Sequence, residues 1–120
     1  MVDQYMVTEK SHDGMRIQFR YEISDNYYVW QKYVNGAAIP SDHALAYKLY
    51  DKVEEVLKQI IKPDMTDYEK ELAIHDYIVV HCQYGYVDTS KDYAYRAYGA
   101  LVQNKAVCNG YAEAMALLMT

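Results

Sequence analysis

The 120-residue chain reads as α+β: a small N-terminal antiparallel sheet within a β-rich segment, 1–38, then a helical part, 39–120, ending in a cysteine-bearing helix. Three observations predict this class. Met15, Ile17, Phe19, Tyr21 and Ile23 alternate with Arg16, Gln18, Arg20 and Glu22, the period of a half-buried strand. Leu45, Leu49, Val53, Val56, Leu57 and Ile60 recur at helical spacing among charged residues. Finally, Ala106-Val107-Cys108-Asn109-Gly110-Tyr111 leads into the helix formers Ala112 to Met119, with a thiol at the entrance.

Taken in order, residues 4–10 and 15–23 are predicted strands, and Asp13-Gly14 between them suits a tight hairpin turn. Ser24-Asp25-Asn26 marks a further turn. Tyr27 to Val34 is rich in aromatic and β-branched residues and predicts a third strand, closed by Asn35-Gly36. The segment 35–42 is the best candidate for a boundary.

The first helix is expected from Asp42 to Ile61, with Ser41 as N-cap after Pro40. Lys62-Pro63 ends it, because proline pushes the preceding residue out of the α region. Thr66-Asp67-Tyr68-Glu69 spells a capping box for the second helix. Tyr68, Leu72, His75, Val79 and Cys82 then fall on one stripe, which the spacing assigns to the core. On that reading His75 is a hydrogen-bonded core histidine, with a functional role as the alternative, and Cys82 is a core thiol. His81 belongs at the exposed helix end, where a cation suits the dipole. Tyr84-Gly85-Tyr86 breaks the chain before a polar loop. Asp92 opens a short helix through Tyr95, Tyr98 and Leu101 that ends near Asn104, and Lys105-Ala106-Val107 delivers the chain to Cys108.

That delivery carries the chemistry. Unpaired N–H groups and the positive end of the helix dipole favour a thiolate at a helix start, and the thiolate is the nucleophilic form of cysteine. The alternative is a small apolar residue in a buried helix start. His75, His81, Cys82 and Cys108 are zinc-ligand types, but no Cys-x-x-Cys or His-x-x-x-His is present. Six residues part His75 from His81, which turns them to different sides of a helix. No metal and no cofactor is expected.

Composition narrows the class. With 52% hydrophobic residues the chain has enough for one small core. Seventeen acidic residues against 12 basic ones leave a net charge of -5 without any basic cluster, so nucleic acid is not an expected partner. No apolar run approaches the roughly 20 residues that span a bilayer. Tyrosine occurs 15 times and phenylalanine once, which suits half-exposed surfaces or a groove. Two cysteines are too few for a disulfide scaffold.

From Thr66 to the last residue the sequence resembles the bacterial transglutaminase-like domains, relatives of papain in fold. The resemblance rests on four segments in order: Tyr68 to Val79, Tyr84-Gly85-Tyr86, Tyr95 to Val102, and Lys105 to Ala112. It implies that Cys108, in a Cys-x-Gly-aromatic pattern, is the catalytic nucleophile. Many members carry Gln where this chain has Asn109. The family's triad takes its His and Asp from strands after the cysteine helix, and no histidine follows Cys108 here. The resemblance therefore implies the N-terminal part of a transglutaminase-like domain, inactive by itself. The parent is expected to form a thioester on protein or peptide amide substrates and pass it to an amine or to water, outside the cell or at its surface. A non-catalytic protein- or glycan-binding module of the same fold is the alternative. Met115, Leu118 and Met119 are expected to lack cover and to drive self-association.

Overall fold

The computed structural model describes residues 2–11, 14–89 and 91–120, with 2–11, 15–23 and 91 described by their backbone. The architecture is α+β and predominantly helical. Strands β1 (Val2–Ser11) and β2 (Gly14–Ile23) pair antiparallel from Val2 opposite Ile23 to Ser11 opposite Gly14. Asp13, half of the expected turn, lies outside the described residues.

No third strand joins them. Tyr27 to Val34 lies instead in helix α1 (Asp25–Asn35). Aromatic and β-branched residues favour strands only through the surface they pack against, and here Asn26, Val29, Trp30 and Tyr33 fall at helical spacing, with Val29 fully buried. Asn35-Gly36 is a helix terminus. Gly36 adopts φ 68°, and its N–H donates to Lys32 O while Ala37 N–H reaches Gln31 O, closing the end in the left-handed manner glycine permits.

Helix α2 (Ala44–Ile60) starts two residues later than predicted. Its N-cap is His43, not Ser41, because Pro40 to His43 is taken up by a turn with His43 N–H bonded to Pro40 O at 3.1 Å. Leu49, Val53 and Val56 sit at zero exposure on one face of α2 and form the middle of the core. The Tyr33 hydroxyl donates to Glu54 Oε1 at 2.5 Å and fastens α1 to α2.

Helix α3 (Asp67–His81) has the full capping box. Thr66 Oγ1 accepts from Glu69 N–H, and Glu69 Oε2 accepts from Thr66 N–H. Its buried face is Ile74, Tyr77 and Ile78. The stripe predicted for the core points outward: Tyr68 is 72% exposed, Leu72 45% and Val79 58%. His75 is therefore no core histidine; it is exposed, with Nδ1 3.1 Å from Asp76 Oδ1. Apolar residues occupy more than one side of this helix, so spacing alone could not choose the side that packs. Cys82, the C-cap, is buried as expected. His81 is exposed at the helix end, stacked on Tyr77 with ring centres 4.0 Å apart.

The second sheet is parallel, not antiparallel: β3 (Gln83–Tyr84) lies beside β4 (Lys105–Ala106). Between them run a 3-10 turn (Lys91–Tyr95) and the short helix α4 (Ala97–Leu101), separated at Arg96 where one continuous helix was expected. Helix α5 (Cys108–Leu118) packs on α4, the 3-10 turn and α3. Its Ala114, Leu117 and Leu118 are buried, so of the three residues expected to lack cover only Met119 is exposed and Met115 is half-buried.

Candidate active site

The two-residue strand β4 aims the chain at the candidate nucleophile. Gln83 N–H donates to Asn104 O at 2.9 Å and Gly85 N–H to Ala106 O at 3.0 Å, tying the segment before Cys108 to the exit of α3. Ala106 is fully buried and anchors the strand. Val107 follows, its N–H donating to Ala94 O at 2.9 Å.

Cys108 is the first residue of α5, a free and exposed thiol. The N-cap position belongs to Val107, whose side chain cannot accept a hydrogen bond, and the first turn holds no acidic or basic residue. The N–H groups of that turn thus lack a side-chain cap. The alternative of a thiol sealed in the helix start does not hold.

Three contacts hold this helix start in place. Asn109 Nδ2 donates to Tyr95 O at 2.5 Å, so the amide next to the cysteine is engaged in fastening α5 to the 3-10 turn. Glu113, one turn on, accepts from Ala97 N–H at 3.2 Å through Oε2. Gly110 is buried where a Cβ would stand 2.3 Å from Ala94 O and 2.7 Å from the Ala106 Cβ. Only glycine lets the helix approach that closely. Asn109 and Glu113 as positioning residues escaped the sequence reading, since both bind backbone carbonyls or N–H groups whose location depends on the fold.

Behind the site, Tyr111 donates its hydroxyl to Cys82 O at 2.9 Å and lies against Tyr84, ring centres 6.3 Å apart. Burial, then the neighbouring Cys82 and Tyr84, push the Tyr111 phenol up to about 12. Burial likewise raises the Cys82 thiol, against smaller lowering contributions from Tyr111 and the Ala106 backbone. Tyr84, Tyr86 and Tyr95 are 72%, 49% and 56% exposed.

The described histidines are engaged elsewhere. His43 stacks on Tyr28 with ring centres 4.3 Å apart, His75 faces Asp76, and His81 Nδ1 lies 2.9 Å from Tyr77 O. His12 is outside the described residues. Hence no imidazole among the described residues, His75 included, bonds the Cys108 sulfur. Among the described residues no group of three or more His, Cys, Asp or Glu is placed to hold a metal. None of their helices is long and apolar enough to cross a membrane.

A family model described as the transglutaminase-like superfamily matches residues 54–120, which takes in α3, the β3–β4 pair and the whole of α5. No curated protein and no solved structure matches the chain.

Proposed function

The chain belongs to the transglutaminase-like superfamily, and from that premise we propose that Cys108 is the nucleophile of an acyl transfer on carboxamide or peptide amide bonds. The observation that carries this reading is an exposed, unbonded thiol on the first residue of a helix whose N-terminus has no side-chain cap. In the first half-reaction the sulfur attacks the carbonyl carbon, a C–S bond forms, and the negative charge on oxygen is met by N–H groups of the helix start. The C–N bond then breaks, the leaving nitrogen takes a proton, and a thioester remains. An amine or water attacks the thioester carbon in the second half, and the C–S bond breaks to restore the thiol.

Proton transfer requires a base, and none is positioned at Cys108 by the described residues. We therefore propose that the 120-residue chain does not turn over amides by itself, while its thiol accepts an activated acyl group in a single round. The test uses p-nitrophenyl acetate, whose good leaving group needs little help. Intact-mass analysis is expected to find one acetyl group, mapped to the Cys108 peptide, removed by hydroxylamine and absent in Cys108→Ala. Acylation of Cys82 instead, or none, rejects the nucleophile. Steady ammonia release from a glutamine-containing peptide, abolished by Cys108→Ala, rejects the claim of inactivity alone.

A second reading draws on the exposed rings of Tyr84, Tyr86 and Tyr95. In it the same surface holds a peptide or glycan without chemistry. Ready acylation at Cys108 separates the two.

The patch at the end of α5 supports self-association. A concavity of about 720 Å³ has Leu57, Ile61, Ile74 and Leu118 in its walls and ends at the exposed Met119. A second copy covering the partly exposed Leu57 and Ile61 and the exposed Met119 would remove apolar surface from water.

A further inference from the structure

Helix α3 carries a second apolar face, opposite in character to its acidic edges. Tyr68, Leu72, His75 and Val79 follow one another at spacings of four, three and four residues. On a helix this holds them within an arc of roughly 60° and makes the seam used by paired helices. All four are exposed, while Ile74, Tyr77 and Ile78 are the residues sunk in the core. At the N-terminal end of the seam a concavity of about 510 Å³ opens over Met65, Leu72 and Ala73. Its rim carries Asp64, Glu69 and Asp76 against a single lysine, Lys62.

The edges decide what fits. By helical position Glu69 and Asp76 run along one side of the seam and Glu71 along the other, and all three are exposed. A second copy laid on the same seam, in either direction, sets carboxylates against carboxylates, which disfavours pairing. A helix with apolar seam residues and lysine or arginine beside them covers Tyr68, Leu72 and Val79 and meets the acidic edges with opposite charge. We infer that the Tyr68–Leu72–His75–Val79 face of α3 is a docking surface for a cationic amphipathic helix of a partner protein. This surface is independent of the chemistry at Cys108.

The test is fluorescence anisotropy with a labelled heptad-repeat peptide, leucine at its seam positions and lysine on both flanks. One control has the same composition scrambled so that no seam remains, and another has glutamate in place of lysine. The seam peptide binds and both controls fail. Leu72→Asp and, separately, Val79→Asp weaken binding about tenfold or more, the loss expected from removing one buried aliphatic contact. Asp76→Lys weakens it as well, and each variant keeps the far-ultraviolet circular dichroism of the parent. Equal binding of the scrambled peptide, or binding indifferent to both aspartate variants, overturns the inference. A dimer dissolved by Leu72→Asp also overturns it and assigns the face to a second copy. So does hydroxyl-radical footprinting in which a longer form of the chain protects Tyr68 and Leu72 without any partner.

Discussion

Tyr111 shows how one side chain serves both fold and site. Its hydroxyl closes on Cys82 O at the exit of α3, three residues after the candidate nucleophile. The phenol is raised from the usual 10.0 to about 12 by burial and by its neighbours. An acid raised in the folded state keeps its proton after the unfolded chain has lost it. The stability this contributes is whole below about pH 10 and is lost as pH climbs from there through about 12. Thermal melts are therefore expected to show a falling Tm across that window, with Tyr33 and Tyr98 adding to it, since burial raises each, and with the Cys82 thiol, also raised by burial, beginning its loss from about pH 9. Tyr111→Phe should lower stability at neutral pH by about 1 kcal/mol, the worth of one hydrogen bond. It should also make the alkaline decline shallower. A Phe variant with an unchanged alkaline slope counts against this account. At the scale of residues, Cys108 was legible as a helix-start thiol from its neighbours in sequence, whereas its exposure and the Asn109 and Tyr111 contacts depend on segments brought in from elsewhere.

At the scale of elements, α5 owes its position to Gly110. Alanine is the better helix former, so Gly110→Ala in an isolated helix would be a gain. Here the added methyl meets Ala94 O and the Ala106 Cβ, neither of which is the end of a flexible side chain. Urea denaturation of Gly110→Ala is expected to show a loss of about 1–3 kcal/mol, the range for overpacking. Acetylation of Cys108 should slow in the same variant, because the helix start is displaced from β4. A neutral or stabilised variant would mean that α5 is not held by this approach. The other elements divide by the kind of signal they carry. The capping box at Thr66 and Glu69 and the stop at Lys62-Pro63 are local chemistry, and both were readable. Helix α1 was not, because Val29 and Trp30 suit any half-buried surface and only packing against α2 selects the helix.

Across the whole molecule, the core centred on Leu49, Val53 and Val56 draws residues from all five α-helices described here, and two of the apolar surfaces left exposed bear on association. The acid-edged seam of α3 is one and the end of α5 is the other. Self-association through the second is expected to appear in sedimentation velocity as a concentration-dependent shift to a dimer or larger species. Met119→Lys should reduce it, while Leu72→Asp, on the other face, should leave it unchanged. A single monomeric species at every concentration would remove this proposal.

The sequence alone determined the features set by near neighbours: α+β character, the ends of α3, the helix beginning at Cys108, and the resemblance that the family match bears out. Each depends on bonding or periodicity within a few residues. Tertiary structure decided which side of α3 faces inward, that Tyr27 to Val34 coils into a helix, and that β3 and β4 run parallel. Those choices were made by burial against partners distant in the chain, and a periodic pattern records that a face is apolar without recording what will cover it.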